Sequence, residues 1–218
     1  MNRRALVSAF GAALLTRSVI VAEQATPVSG ETKSIGDFLG GVTRPDHVGF
    51  RSFAVPNPEI FGEGLGWFVA FGMKFRDITA AQEFAMAFPK AFRQWELMNR
   101  DPPLEGSTVR MASVRKLGDQ NWATTYTVTT TAAARSREHG VAAIRKAPWL
   151  QIMVGSACAG STIVALSDIA EKTLPRWPNK AVSSVKDGLN AGDIFAMLPV
   201  LMDVPEGVSV DDDSQIHF

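Results

Sequence analysis

The sequence has very little cysteine and histidine, two residue types that build many catalytic and metal centres. Its one cysteine, Cys158, excludes a disulfide within the chain and a zinc site built on thiolates. Its three histidines are scattered and lack the usual spacing of metal ligands. The 22 basic residues equal the 22 acidic residues, so no excess of positive charge attracts nucleic acid or an anionic membrane. We therefore expect no metal, no cofactor and no nucleic-acid partner.

The apolar run at the start of the chain is too short to cross a membrane. Residues 1–15 begin with Arg3 and Arg4 and continue with apolar residues, which is the pattern of a secretory signal. A membrane span needs roughly 20 apolar residues, and Arg17 interrupts this one. The arginine pair resembles the twin-arginine export signal. We expect residues 1–25 to be removed and the protein to act in the periplasm, the cell envelope or the medium, without a stable membrane anchor. The alternative is a cytoplasmic protein with an amphipathic or disordered start.

Residues 26–34 are polar and are predicted to be a linker to one domain at 35–178. In that domain, residues 67–76 alternate as a strand does, with apolar residues on both faces at first, which favours a central strand. A helix is predicted from Thr79, where Thr79 and Gln82 have the form of a capping box. The aromatic residues of this helix recur at helical spacing and form one stripe: Phe84, Phe88, Phe92 and Trp95. Pro89 is expected to kink or divide the helix.

Further strands are predicted at 109–115, 122–131, 141–145 and 149–155, and a second helix at 161–174. Short connections between the strands favour antiparallel pairing. The order of elements is not a regular alternation of strands and helices. We therefore predict an α+β fold, an antiparallel β-sheet with two helices packed on one face. Residues 179–218 are predicted to be a tail, partly draped over the domain and partly disordered.

Residues 66–178 resemble a class of secreted bacterial domains. The turn Leu117-Gly118-Asp119 and the final helix at 166–174 carry the resemblance. The region is similar to PsbP-like domains and to mycobacterial sensor or lipoprotein domains. The resemblance implies an α+β domain outside the cytoplasm. It implies no catalytic residues, because those families are mostly binding or sensing modules.

Cys158 is the main candidate for a nucleophile, and its base would have to be His139 or His217. Residues 155–160 are small and lie between a predicted strand and a predicted helix, as in a nucleophile elbow, and a helix N-terminus there would favour a thiolate. Ser156 stands where the elbow has a glycine. The alternative is a tight turn with a buried cysteine that packs as a small apolar residue. His139 is predicted in a loop, where histidine is usually only solvated, and His47 and His217 are interpreted in the same way.

Trp149 and Trp177 are the candidate ligand-binding residues. Each stands beside a proline and is expected to be more exposed than the other tryptophans. An apolar groove between the sheet and a helix would use them to hold a ligand, and the alternative is core packing.

Two other patterns predict no site. Residues 62–66 precede a strand and are interpreted as a turn rather than a phosphate loop, and Asp203 with residues 211–213 lacks the spacing of a calcium loop and is interpreted as an acidic end.

Three functions are compatible with this sequence. The first is a secreted, non-catalytic binding or sensing module with an apolar groove for a small molecule, a lipid or a protein. The second is a small cysteine-dependent hydrolase or transferase that uses Cys158 and His139. The third is a structural envelope protein whose tail mediates assembly. The first is preferred, because no spacing of residues supports an enzyme.

Overall fold

A computed structural model describes residues 35–54, 64–98, 109–111, 115–130, 135–159, 162–178, 191–204 and 208–217. The helices are α1 (Ile35–Leu39), α2 (Ile78–Met98), α3 (Thr162–Thr173), a 3-10 turn (Leu174–Arg176) and α4 (Ala191–Met197). The strands are β1 (His47–Ala54), β2 (Gly64–Lys74), β3 (Val109–Met111), β4 (Gln120–Thr130), β5 (Arg135–Lys146), β6 (Trp149–Ala159) and β7 (Ser209–His217).

The strands form one sheet in the order β3-β4-β5-β6-β2-β1-β7. Every neighbouring pair is antiparallel. The predicted α+β fold with an antiparallel sheet is therefore confirmed. The central position predicted for residues 67–76 is also confirmed, because β2 lies between β6 and β1.

The prediction that both helices pack on one face is wrong. In β2, Val69 and Phe71 belong to the same buried cluster as α2, whereas Phe68 and Ala70 belong to the cluster of α3 and α4. Successive side chains of a strand point to opposite faces of its sheet. The two helices therefore lie on opposite faces, and the fold has three layers. The central strands carry apolar residues on both faces, so each face has to be buried beneath helices.

Helix α2 is continuous through Pro89 over its 21 residues. Its aromatic stripe is confirmed, since the rings of Phe84, Phe88 and Phe92 follow one another with centroids 5.8 and 5.9 Å apart. The predicted capping box is wrong. The backbone N–H of Ala80 donates to the carboxylate of Asp77 at 2.8 Å, so Asp77 caps a helix that begins one residue earlier than predicted.

The predicted domain boundary at residue 178 is too early. Helix α4 buries Ile194 and Met197 in the same cluster as α3, and β7 pairs with β1 along the edge of the sheet. Residues 191–204 and 208–217 are therefore part of the domain rather than a tail. Within the described part of the chain, no helix combines the length and the apolar character that a membrane crossing requires.

Two residues with left-handed backbone conformation shape the connections around β4, β5 and β6. Gly118, in the predicted turn before β4, has a φ of +61°, and Ala147, between β5 and β6, has a φ of +52°. The carboxylate of Asp119 accepts the backbone N–H of Ala147 at 2.7 Å. The buried guanidinium of Arg145 donates to the carbonyl of Ala147 at 3.0 Å. These contacts fix both connections at one end of the sheet.

Candidate functional site

The structure buries both tryptophans that were predicted to be exposed. Trp149 lies fully inside the cluster beneath α3 and α4, and Trp177 is nearly fully buried in the same cluster. The exposure expected from the neighbouring prolines is therefore wrong. Since α3 and α4 cover this face of the sheet, the apolar surfaces of both rings are used in packing.

The two indole N–H groups differ in their partners. Trp177 donates its Nε1–H to the hydroxyl of Thr173 at 3.1 Å. That hydroxyl also lies 3.2 Å from Nε2 of Gln151, which donates in addition to the carbonyl of Met197. This buried network joins β6, α3 and α4 and gives Trp177 a structural role. The Nε1–H of Trp149 is buried without an acceptor among the described residues.

His139 lies in β5 rather than in a loop. It is buried directly opposite Ser156 of β6, and its ring meets that of Trp67 edge-on, with centroids 5.7 Å apart. The loop prediction is wrong because β5 begins earlier, at Arg135.

Strand β6 continues to Ala159, so the backbone of Cys158 lies in a strand, two positions beyond Ser156. The side chain of Cys158 lies outside the described residues, and its pairing with His139 stays a prediction.

The sheet forks next to His139. The pairing of β5 with β6 ends at His139 and Ser156, whereas β6 stays paired with β2 as far as Ala159. Helix α3 begins at this fork, where the backbone N–H of Thr162 donates to the carboxylate of Glu138 at 3.2 Å. The hydroxyl of Thr162 donates to the Glu138 carbonyl at 3.1 Å. A helix N-terminus attracts negative charge, and here Glu138 supplies it from the protein itself.

Of the other residues singled out from the sequence, the structure brings His47 and His217 together at the edge of the sheet. His47 begins β1 and is half-buried, and His217 stands opposite it in β7, although the side chain of His217 lies outside the described residues. Of residues 62–66, the first two lie outside the described part, and the rest begin β2. Asp203 is buried against Arg176 rather than in an acidic end. Among the described residues, no three His, Cys, Asp or Glu side chains come together as a metal site needs.

Lys74 is the functional candidate that the sequence analysis missed. It is the last residue of β2 and is only 8% exposed. Its ammonium stands over the ring of Trp149, with Nζ 5.9 Å from the ring centroid. Among the described residues, no carboxylate forms an ion pair with it. Lysine is almost never this little exposed without a counter-charge, so the residue is a candidate for a functional role.

Backbone contacts on both sides hold Lys74 in place. Its carbonyl accepts the N–H of Asp46 at 2.8 Å, and the N–H of the next residue, Phe75, donates to the carbonyl of Pro148 at 3.0 Å. In register, Lys74 stands opposite Trp149 on one side and His47 on the other. Cross-strand partners share a face of the sheet. The result is a fixed pair of donors, the ammonium of Lys74 and the buried indole N–H of Trp149, with His47 at the neighbouring register position.

The signal that could have revealed this group was the alternation in β2. Lys74 has the same parity as Phe68 and Ala70, which face the cluster beneath α3 and α4. A lysine at the end of a strand is usually exposed to solvent, and only the strand register shows that this one lies beside Trp149.

No protein-family model, no curated protein and no solved structure matches this chain, so its function has to be inferred from the site itself.

Proposed function

We propose that this chain is an exported, non-catalytic binding module that holds a small organic anion between Lys74 and Trp149. The observation that carries the proposal is the pairing of a buried indole N–H that has no acceptor with the ammonium of Lys74, a residue only 8% exposed that has no acidic partner among the described residues. The resemblance of residues 66–178 to PsbP-like and mycobacterial sensor domains, which are mostly binding modules, supports the same class of function.

The chemistry of the donors selects the ligand. An ionised carboxylate has two oxygens and only accepts hydrogen bonds, so one carboxylate can accept from Lys74 and from Trp149 together. Hydrogen bonds with a charged partner are stronger than neutral ones, and burial strengthens them further. A lysine acts as a point charge without the planar fork of arginine. The site therefore recognises the charge of a carboxylate, and the ligand's remaining surface supplies selectivity.

The site is suited to binding rather than to catalysis. A nucleophile with an adjacent base and an orienting group would mark an acyl-transfer centre. Lys74 stands over the aromatic ring of Trp149, which supplies an N–H donor and no base. The anion-binding function uses these groups as they stand and requires no proton transfer. The cysteine-dependent alternative depends on Cys158, at the opposite end of β6 from Trp149, and on His139 of β5, which stands opposite Ser156.

Calorimetric titration with benzoate, acetate and inorganic phosphate tests the proposal. We expect benzoate to bind the wild-type protein and to lose most of its affinity in Lys74→Met, which keeps the length of the side chain without its charge. Trp149→Phe removes the N–H donor together with the five-membered ring but keeps an aromatic face beside the ammonium, and it should weaken binding less. Lys90→Met is the matched control, because Lys90 is exposed on α2. Benzoate binding that is unchanged in Lys74→Met, or no binding of any of the three anions, would overturn the proposal.

The export part of the proposal has its own measurement. The basic start and short apolar run of residues 1–15 support removal of a signal. Intact mass spectrometry of the protein recovered from its native compartment should show a mass that lacks about the first 25 residues, as signal cleavage predicts. A mass that includes the N-terminal segment would contradict export by this route. It would leave the anion site of Lys74 unaffected.

A further inference from the structure

Lys74 stands in the kind of surroundings in which proteins use lysine as a nucleophile. The residue is only 8% exposed, and its Nζ lies 5.9 Å from the ring centroid of Trp149. Among the described residues, no carboxylate forms an ion pair with it. Lysines that form Schiff bases with carbonyl compounds occupy such apolar settings, because an acidic partner would hold the proton on the nitrogen.

The neighbouring indole offers a second contact to the same ligand. The Nε1–H of Trp149 is buried without an acceptor among the described residues, and Trp149 stands directly opposite Lys74 in the register of β2 and β6. A 2-oxo acid has an aldehyde or ketone carbon bonded directly to a carboxylate. Its carboxylate can therefore accept the indole N–H while its carbonyl carbon meets the nitrogen of Lys74. The two groups of such a ligand match the two groups of the site.

Helix α4 determines the side from which a ligand reaches Lys74. Gly72 lies two positions before Lys74 in β2, so the two residues share one face of the sheet. A Cβ at Gly72 would lie 3.1 Å from the carbonyl oxygen of Ile194 and 3.4 Å from Cδ2 of Leu198. This side of Lys74 is therefore filled by α4 and the residue that follows it. The substituent of a bound 2-oxo acid has to extend the other way, toward the end of the strand.

We infer that Lys74 captures a small 2-oxo acid as a reversible Schiff base. This inference rests on the proposed function, because the site first has to bind the carboxylate. The nitrogen of Lys74 then bonds to the carbonyl carbon, and the carbonyl oxygen leaves as water with two protons of the original ammonium. The product is a protonated imine, so the positive charge beside the ring of Trp149 is kept. Hydrolysis reverses the step and releases the ligand unchanged.

Reductive trapping with pyruvate tests this inference. Sodium cyanoborohydride reduces a protonated imine to a stable amine, and peptide mass mapping of the full chain then locates the carboxyethyl group. We expect Lys74 to be modified at least about tenfold faster than Lys90, an exposed lysine of α2, because binding holds the carbonyl beside Nζ. Acetone is the same methyl ketone without the carboxylate, and it should modify Lys74 at least about tenfold more slowly than pyruvate does. The variant Lys74→Met should lose the selective modification, and Lys90→Met should keep it.

Two results would overturn the inference: Lys74 is trapped no faster than Lys90, or pyruvate traps Lys74 no faster than acetone does. Both comparisons use the wild-type chain, so neither depends on the folding of a variant. Calorimetry with benzoate separates this failure from a failure of the anion site. Benzoate binding that is lost in Lys74→Met, together with unselective trapping, would overturn the Schiff base and leave the anion site in place. Unselective trapping without any benzoate binding would overturn both proposals.

Discussion

The ammonium of Lys74 stands over the ring of Trp149, and neither the ammonium nor the indole N–H has an acceptor among the described residues. The indole N–H is therefore withdrawn from water without a hydrogen bond, and the charge of Lys74, at a residue only 8% exposed, has a cation–π contact in place of a counter-charge. Such an arrangement lowers the stability of the ligand-free protein. Proteins tolerate such a loss of stability at functional sites, because the groups that activity requires are often not the groups that would pack most stably.

Lys74→Met should raise the stability of the ligand-free protein while it abolishes anion binding. Methionine fills a similar volume with apolar atoms, so a largely buried position no longer holds a charge without a counter-charge, and part of the contact with Trp149 remains. We expect a gain of about 1 kcal/mol in the free energy of unfolding, measured by urea denaturation. Lys90→Met, on the exposed face of α2, should change the same free energy by less than about 0.5 kcal/mol. A loss of stability in Lys74→Met would mean that the ammonium is stabilised by its surroundings.

Asp203→Asn should destabilise the protein at neutral pH but much less in acid. Burial by itself would raise the pKa of Asp203, but hydrogen bonds from Arg176 and from the N–H of Val200, with the charges of Arg176 and Lys172, hold its pKa below the ordinary value. The unfolded chain then binds a proton at a higher pH than the folded chain. The stabilisation is complete above the unfolded pKa of about 3.9 and is lost as the pH falls through the folded pKa.

The measurement is denaturation of the wild type and the Asn variant at a series of pH values. At pH 7 we expect a loss of about 1–3 kcal/mol, because Asp203 is buried although Arg176 is partly exposed to solvent. The difference between the two proteins should shrink below about pH 4. Asp168→Asn is the control, since its carboxylate pairs with Arg115 at an exposed site and should matter little. A difference for Asp203→Asn that is constant with pH would show that the carboxylate's charge is not what stabilises the turn.

Local patterns predicted the elements in the middle of the chain, and long-range pairing determined the rest. The stripe of α2 and the alternation of β2 follow from residues that are neighbours in sequence. β7 contains Asp211, Asp212 and Asp213, a residue type that is unfavourable in strands, and its pairing with β1 overrides that preference. The donor group at Lys74 arises only because the register places Trp149 opposite it. No local pattern specifies that register.

Thr173→Val should destabilise the side of the sheet that α3 and α4 cover. Valine keeps the shape of threonine but removes the hydroxyl that accepts from Trp177 and contacts Gln151. A buried donor left without a partner costs about 1–3 kcal/mol. Thr79→Val, at an exposed position of α2, is the control and should be nearly neutral. In a double-mutant cycle with Trp177→Phe, we expect a coupling energy of about 0.5 kcal/mol or more. Simple additivity would indicate that the hydroxyl and the indole do not interact.

Gly155→Ala should destabilise the centre of the sheet. A Cβ at this position would lie 2.9 Å from the Cβ of Phe68 and 3.0 Å from the carbonyl oxygen of Trp67, and backbone-linked atoms of this kind do not move easily. Overpacking of a core costs about 1–3 kcal/mol. Gly41→Ala introduces the same methyl group where nothing lies within 4 Å, so it should leave the denaturation midpoint nearly unchanged. Equal midpoints for the two variants would mean that β2 and β6 separate more readily than their packing indicates.

Ala147→Gly should stabilise the connection between β5 and β6. Ala147 has a φ of +52°, a left-handed conformation that costs a residue with a Cβ about 1–2 kcal/mol and costs glycine little. Glycine also adds conformational freedom to the unfolded chain, which offsets about 0.5–1 kcal/mol of the gain. The N–H that donates to Asp119 is retained. We therefore expect a net increase of about 0.5 kcal/mol in the free energy of unfolding. The same substitution at Ala143, a buried position within β5, should lower that free energy by about 1 kcal/mol. An equal loss of stability in both variants would mean that the surroundings of Ala147 already relieve its strain. The contact that would do so is the hydrogen bond from the Ala147 N–H to the carboxylate of Asp119.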